Sequence, residues 1–408
     1  MTSALDYDVV IIGGGLVGGT LACALSGQDL RIALVEAWPF ESDQQPSYDD
    51  RSIALAYGSR RILEGIGLWP QLAPQATAIH RIHVSDRGHF GLTHLDCHDS
   101  GHDALGYVIE NRAIGNVYAT ALEAQPGLDI LCPAELVSLQ TDAQQASVTV
   151  RQGTKTRQLS ARLLIGADGG HSAVRRLCDI GSRHWDYGQS AIIANITPEQ
   201  AHRHVAYERF TDTGPLALLP MSGQRCSLVW TVRNDSVESL LALDDDAFLG
   251  LLQQRFGQRL GRLLHCGHRN SYPLQLIRAR RHQTPRVALI GNAAHTLHPI
   301  AGQGFNLGIR DVAALAQVLE EAARQVQDIG APAVLEHYEQ WRHKDQRHIS
   351  ALTDTLVRVF SNNFTPLVLA RNAGLLALDL VPPLKRHLTR QAMGLAGRLP
   401  RLARGLPL

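Results

Sequence analysis

The sequence predicts an α/β fold: a discontinuous Rossmann-type domain, a mixed β-sheet domain inserted into it, and a C-terminal helical region. Three observations predict it. Short apolar runs at 7–12, 163–165 and 287–290 each lead straight into glycine, at Gly13, Gly166 and Gly291. Unbroken apolar runs suit strands buried on both faces of a parallel sheet. These junctions lie far apart, so one sheet must be assembled from distant pieces. Between them, the alternating pattern of Ser227-Leu228-Val229-Trp230-Thr231-Val232 points to a second, sheet-rich unit. Past about Asp311 the pattern is helical almost to the end.

Taken in order, the first strand and glycine turn lead into a helix from Gly19 to Leu25. A second strand at 31–35 ends on Glu36. Residues 39–50 are polar and turn-rich, and 60–68 read as helix. A mixed, histidine-rich stretch covers 78–103. A strand at 105–109 precedes a helix over 111–123, and β-like segments surround Leu136 and Val148. The expected divisions are 1–75, 105–185 and 275–335 for the nucleotide-binding domain, 76–104 and 186–274 for the substrate domain, and 336–408 for the helical region.

Composition narrows the function. A chain of 408 residues fits two domains with an appendage. Lys+Arg 39 against Asp+Glu 38 leaves a net charge of +1, too even for whole-domain nucleic-acid binding. The six cysteines form no Cys-x-x-Cys pair, so neither a zinc site nor a disulfide framework is expected, and a reducing compartment fits best. No secretory signal and no run of 18 apolar residues is visible, which predicts a cytoplasmic location. No tandem repeat, phosphate loop or Gly-x-Ser-x-Gly elbow is present.

The first junction reads Gly13-Gly14-Gly15-Leu16-Val17-Gly18, a Gly-x-Gly-x-x-Gly pattern. Its glycines serve a tight turn, close backbone approach to a pyrophosphate, and helix–strand packing. The anion would meet the unpaired N–H groups of a helix N-terminus. Glu36, at the end of the next strand, suits a ribose hydroxyl and disfavours a 2′-phosphate. The site is therefore expected to prefer FAD or NAD over NADP.

The second junction is Gly166-Ala167-Asp168-Gly169-Gly170-His171-Ser172. The third is Gly291-Asn292-Ala293-Ala294-His295-Thr296-Leu297-His298-Pro299-Ile300-Ala301-Gly302-Gln303-Gly304-Phe305-Asn306. Together they resemble the Asp-Gly and Gly-Asp-Ala-Ala-His motifs of the group A flavin-dependent aromatic hydroxylases, relatives of p-hydroxybenzoate hydroxylase. The resemblance covers essentially the whole chain. It implies that Asp168 and Gly169 lie near the FAD ribose and pyrophosphate, and that Asn292 meets the ribityl chain. Gly302, Gln303, Gly304 and Asn306 would open a helix toward the flavin pyrimidine edge, where backbone donors favour the reduced anion. Pro299 would shape the wall at the reacting face.

Asn292 departs from the family's aspartate and removes a charge beside the flavin. Gly-Asn-Ala-Ala resembles the ubiquinone-pathway branch acting on 2-polyprenyl-6-methoxyphenol. Asp49-Asp50-Arg51-Ser52-Ile53-Ala54-Leu55 and the arginine of Glu110-Asn111-Arg112 resemble that branch's FAD contacts, which assigns Arg51 and Arg112 to the cofactor.

The resemblance implies FAD as resident cofactor, NADPH or NADH as transient reductant, and O₂ and a polyprenyl phenol as substrates. Oxygen would pass through a C4a-hydroperoxide of the flavin to the ring carbon para to the phenol oxygen, giving the 1,4-benzoquinol. Two alternatives stay open: another ring position or aromatic substrate on the same fold, and a non-catalytic flavin-fold scaffold or redox sensor. The phenol base is not identified, and neither His295 nor His298 is assigned.

Two segments need weighing. His80, His83, His89, His94, His98 and His102 crowd one stretch, and three of them are spaced four apart. Gly88, Gly91 and Gly101 argue against a helix that would align metal ligands; a solvated loop without metal is expected, while the family resemblance implies a place in the substrate-domain sheet. From Val381 to Leu408 the chain carries Lys385, Arg386, Arg390, Arg398, Arg401 and Arg404 and no acid, interspersed with leucines. This reads as a basic amphipathic element for peripheral contact with the inner face of a membrane or with other pathway proteins; the alternative is that the leucines pack on the nucleotide-binding domain with the charges solvated, which Pro382, Pro383 and Pro400 favour by interrupting any long helix.

Overall fold

The computed structural model describes residues 5–40, 51–296, 302–360 and 364–408, the side chains of 356–358 excepted. Tyr7–Ile12 is buried throughout and lies inside an eight-stranded sheet. Five strands of that sheet are parallel, in the order Val287–Leu289, Lys155–Gly166, Tyr7–Ile12, Ile32–Val35, Leu128–Leu131. The hairpin Glu135–Thr141 and Ala146–Gln152 continues antiparallel from Lys155–Gly166. Both faces are covered, as apolar runs without alternation require. Val9 and Ile11 pack in a core that contains residues of the helices Leu16–Leu25, Asn111–Glu123 and Gln303–Arg324. Val10 and Ile12 belong to a second core on the hairpin side.

Register brings the distant glycine junctions together. Ile12 stands opposite Gly166, and Gly166 stands opposite Leu289. The chain therefore leaves three adjacent parallel strands at one edge, the crevice where open α/β sheets bind ligands.

The second unit is a nine-stranded sheet. Its main path runs His295–Thr296, Asn270–Ala279, Ser182–Pro198, Cys226–Arg233, Gly214–Pro220, Val205–Thr211, Arg81–Asp86, Leu92–Asp96. Alternation gives it two faces. Ile192, Leu216, Leu218, Leu228 and Trp230 form a core with the helix Asp245–Phe256. That helix is capped by Asp244, which accepts from the Ala247 amide at 2.8 Å. Ala191, Ile193, Ala217, Val229 and Thr231 face the other way, into a cavity. The strands Ser182–Pro198 and Asn270–Ala279 run past residues 186 and 274, where the substrate domain was expected to begin and end.

The histidine-rich stretch is not a solvated loop. It forms the antiparallel strands Arg81–Asp86 and Leu92–Asp96 at the sheet edge. His83 is buried, its Nδ1 lies 2.7 Å from His94 Nε2, and burial, with help from Arg259, pushes it down to about 4. Gly91 packs against Asn372, so these glycines fit a hairpin turn rather than a disordered one. His94 is in a strand and His98 in a short 3-10 turn, so the four-residue spacing aligns nothing. Asp96, Cys97 and His98 bring ligand atoms within 4.8 Å of one another, but Asp96 is held by Arg81 at 2.7 Å and His98 is exposed.

The C-terminal leucines divide between the two expectations. Pro382 and Pro383 start the helix Pro382–Ala392 instead of breaking one, since the first turn needs no N–H from them. Leu395 and Leu402 are buried against the body of the protein. Trp341 Nε1 donates to the Arg398 carbonyl at 3.1 Å, and the Arg401 amide donates to Gln317 Oε1 at 2.8 Å. Exposed large apolar residues cluster at Phe364, Leu369, Leu380, Val381 and Leu384, with Leu406 near the end of the chain.

Candidate active site

The three glycine junctions open onto one cavity of about 830 Å³. Its walls come from both sheets. At one end are Gly13, Gly15, Glu36, Asp168, Gly169 and Asn292; at the other are Ala191, Ala217, Val229, Thr231 and Glu208. The size falls in the range of pockets that enclose whole cofactors and drug-sized ligands.

The first turn admits only glycine where it matters. Gly13 has φ +101°, and a Cβ there would lie 2.6 Å from the Ala167 carbonyl oxygen. A Cβ on Gly18 would lie 1.8 Å from the Gly13 carbonyl oxygen. This contact locks the helix Leu16–Leu25 against the turn, with Gly15 at its N-cap. The helix carries no acidic residue in its first turn, so its N-terminal N–H groups face the cavity without a side-chain anion in competition.

Glu36 is buried, and both its oxygens are held by backbone: Oε2 by the Gly14 amide at 2.5 Å and Oε1 by the Trp38 amide at 2.8 Å. Asp168 Oδ2 accepts from the Val174 amide at 3.0 Å. Its Oδ1 is buried with no hydrogen bond among the described residues, and burial raises the carboxyl above its ordinary value. A buried acceptor without a donor in the protein is where a ligand hydroxyl belongs. Arg51 lines the cavity and stacks over the Tyr272 ring at 4.6 Å, linking the nucleotide end to the substrate sheet.

Not every expected contact reaches the cavity. Gly302 and Gly304 line it, Gly302 as the left-handed N-cap of Gln303–Arg324, whereas Gln303 does not. Asn306 is buried and spent on the protein. It accepts from the Ala56 amide at 2.7 Å and donates to the Ala54 and Gly302 carbonyls at 2.8 and 2.7 Å. It therefore ties the strand Ser52–Ala56 to the helix N-terminus. Arg112 is exposed on Asn111–Glu123, and its neighbour Asn111 lines the cavity instead. Pro299, His298, Asp49 and Asp50 lie outside the described residues.

A buried charge network under the third junction was not anticipated. Asp311 Oδ2 lies 2.6 Å from His295 Nε2 and accepts from the Gly291 amide at 3.2 Å. Its Oδ1 accepts from Arg342 Nε at 2.8 Å and Gln346 Nε2 at 2.9 Å. Arg342 donates on to Asp345 at 2.6 Å, which also meets Arg310 at 3.0 Å. The network fixes the Gly291–Ala293 turn to two helices. Two sequence signals mark it: an acid inside the apolar run Leu307 to Leu315, and Arg342, Asp345 and Gln346 spaced three and four apart on one helix face.

The FAD binding domain family matches residues 6–353. The ubiquinone hydroxylase UbiL of Rhodospirillum rubrum is 44% identical over 404 residues, covering 98% of this chain and 93% of that protein. The 3-demethoxyubiquinol 3-hydroxylase of Escherichia coli is 33% identical over 393 residues, covering 95% and 98%. Among solved structures, p-nitrophenol 4-monooxygenase PnpA from Pseudomonas putida superimposes with a TM-score of 0.80 at 18% identity, covering 96% of this chain and 98% of that one.

Proposed function

The chain belongs to the FAD binding domain family and is a flavoprotein monooxygenase, and on that premise we propose that it hydroxylates a polyprenylated phenol in ubiquinone synthesis, converting 2-polyprenyl-6-methoxyphenol to the 1,4-benzoquinol. The observation that carries the proposal is the single cavity shared by a nucleotide crevice and an apolar sheet face. The residues fit FAD. The Gly13–Gly18 turn and its helix would hold the pyrophosphate, and Glu36 and Asp168 the hydroxyls. The open N-terminus at Gly302 and Gly304 would meet the ring system, with Asn292 and Arg51 beside it. Electron uptake from NADPH or NADH and activation of O₂ are what FAD supplies when bound. The chain's own part is to orient the phenol on the Ala217 and Val229 floor, exclude water and place polar groups at its edge. The E. coli relative's name favours a second reading, hydroxylation at another ring position. A quinone-lipid profile of cells lacking the protein decides between them. Accumulation of 2-polyprenyl-6-methoxyphenol is expected, while accumulation of demethoxyubiquinol selects the second reading and an unchanged profile rejects both.

A polyprenyl substrate resides in the bilayer, and the exposed apolar elbow between Thr365–Leu380 and Pro382–Ala392 supports peripheral contact there. Phe364 is 66%, Leu369 57%, Leu380 75% and Leu384 49% exposed, with Arg386 and Arg390 on the second helix. No single described helix is long and apolar enough to cross a membrane; these two pass that test only as a pair bent by 96°. Burying such side chains favours the interface by roughly 1.5–3 kcal/mol each, before the cations act on anionic headgroups. Leu380→Asp with Leu384→Asp is therefore expected to weaken flotation with anionic liposomes by at least about tenfold. Equal flotation of the variant and the parent would exclude the elbow as the anchor.

A further inference from the structure

Resting on the hydroxylase reading, we propose that Glu208 is the catalytic base that accepts the phenol proton. The substrate half of the cavity is a floor of small and apolar side chains. Register aligns Ile193 with Val229, Val229 with Ala217, and Ala217 with Glu208 across four neighbouring strands. All four line the cavity, so the row ends in a carboxylate. Among the described residues, the other acids in the lining, Glu36, Glu135 and Asp168, come from the eight-stranded sheet and the loops at its edge, at the nucleotide end.

The floor is continuous with the Gly302 end of the crevice. A Cβ on Gly302 would lie 3.0 Å from Ala54 Cβ. Ala54 and Leu219 pack in one cluster with Ala206, two residues before Glu208 on the same strand. Two residues along a strand span about 7 Å. A single aromatic ring laid on this floor thus has its reacting edge toward Gly302 and its far edge toward Glu208.

A second, independent observation marks the floor as a ligand surface. Thr231 is 1% exposed and lines the cavity, and its hydroxyl makes no hydrogen bond among the described residues. A buried hydroxyl without a partner in the protein calls for one on the ligand. Thr231 lies two strands over from Glu208 and one row farther from Gly302, about 12 Å away in the plane of the sheet.

The chemistry follows from the charge that develops. An electrophilic oxygen adds more readily to the ring carbon para to a phenol oxygen as that oxygen loses its proton. The O–H bond breaks, the proton passes to a Glu208 carboxylate oxygen, and the bonding pair remains on the phenol oxygen and conjugates into the ring. A general base at this position contributes about 100- to 10,000-fold.

The test uses the FAD-loaded protein with NADPH and 2-methoxy-6-prenylphenol in micelles. Glu208→Gln is expected to lower kcat at least about 100-fold while KM moves no more than about threefold, since the amide still accepts a hydrogen bond. Glu208→Asp should recover part of the loss. A fluorinated analogue that is already ionised should bring Glu208→Gln within about tenfold of the parent on the same analogue. A second readout needs no turnover. Bound 4-nitrophenol should stay in its colourless hydroxyl form in the parent, beside a carboxylate, and show more of the yellow phenolate in Glu208→Gln. Unchanged kcat, a loss confined to KM, no effect of prior ionisation, or loss of FAD from Glu208→Gln would each overturn the assignment. A parent protein that hydroxylates no phenol but shows the 4-nitrophenol difference would retire the hydroxylase reading and leave Glu208 as a phenol acceptor. Absence of that difference removes Glu208 from the site.

Discussion

Gly18→Val is expected to yield a protein that purifies without flavin. The new Cβ would sit 1.8 Å from the Gly13 carbonyl oxygen and 3.2 Å from Ala167 Cβ. Neither neighbour can yield. The Gly13 amide is bonded to the Val35 carbonyl at 2.8 Å, and the Ala167 amide to the Ile12 carbonyl at 2.8 Å. The helix Leu16–Leu25 must therefore move away from the strands, taking its N-terminus off the pyrophosphate position. Affinity for FAD should fall at least about 100-fold, equivalent to about 2.7 kcal/mol. The flavin-to-protein absorbance ratio of the purified variant measures it, with circular dichroism as a check on folding. A folded variant carrying a full complement of FAD would contradict the placement of the cofactor.

The second large effect belongs to Asp311. Burial alone would push its carboxyl up, but His295 and Arg342 overcome that and hold it well below the ordinary carboxylate range. Asp311→Ala leaves the buried Arg342 guanidinium with Asp345 as its remaining acid and its Nε without an acceptor, and breaking such a buried pair typically costs about 3–5 kcal/mol. Adding Arg342→Met should recover much of the loss, because two apolar side chains require no solvation. The sign of the pH dependence is fixed. A carboxylate with a depressed folded pKa contributes stability in full above its unfolded value of about 3.9 and loses it as pH falls further. The gap in unfolding free energy between parent and Asp311→Ala should be flat from about pH 5 to 8 and shrink below about pH 4. Urea denaturation across that range measures it, and a gap that closes near neutrality would point to a histidine instead.

What the sequence made legible follows from how local each signal is. The turn at Gly13–Gly18, the acid at Glu36 and the helix Asn111–Glu123 are short-range patterns, and they stand where they were expected. The likeness of Asn306 to a cofactor ligand does not disclose its bonds within the protein. A motif marks a position in a fold, and only coordinates show that its amide groups bond Ala54 and Ala56. Glu208 carries no motif at all. It becomes a site residue through register across four strands drawn from 182 to 233, and pairing between strands is invisible to any single window of sequence. The same holds for the hairpin of His83 and His94, whose burial depends on a sheet edge and the helix Thr365–Leu380 that covers it.

The interleaved parallel sheet also dictates when the protein can exist during its own synthesis. Tyr7–Ile12 emerges from the ribosome almost at once, yet its neighbour on one side is Lys155–Gly166, and that strand waits in turn for Val287–Leu289. The helix from Gln303 that closes the crevice comes later still. Chains that pair early strands with late ones fold slowly and expose sticky edges meanwhile. A nascent chain of this protein cannot capture its cofactor domain by domain. Flavin capture is expected only after the third glycine junction has been synthesised, and any truncation before it should produce a chaperone client rather than a smaller flavoprotein.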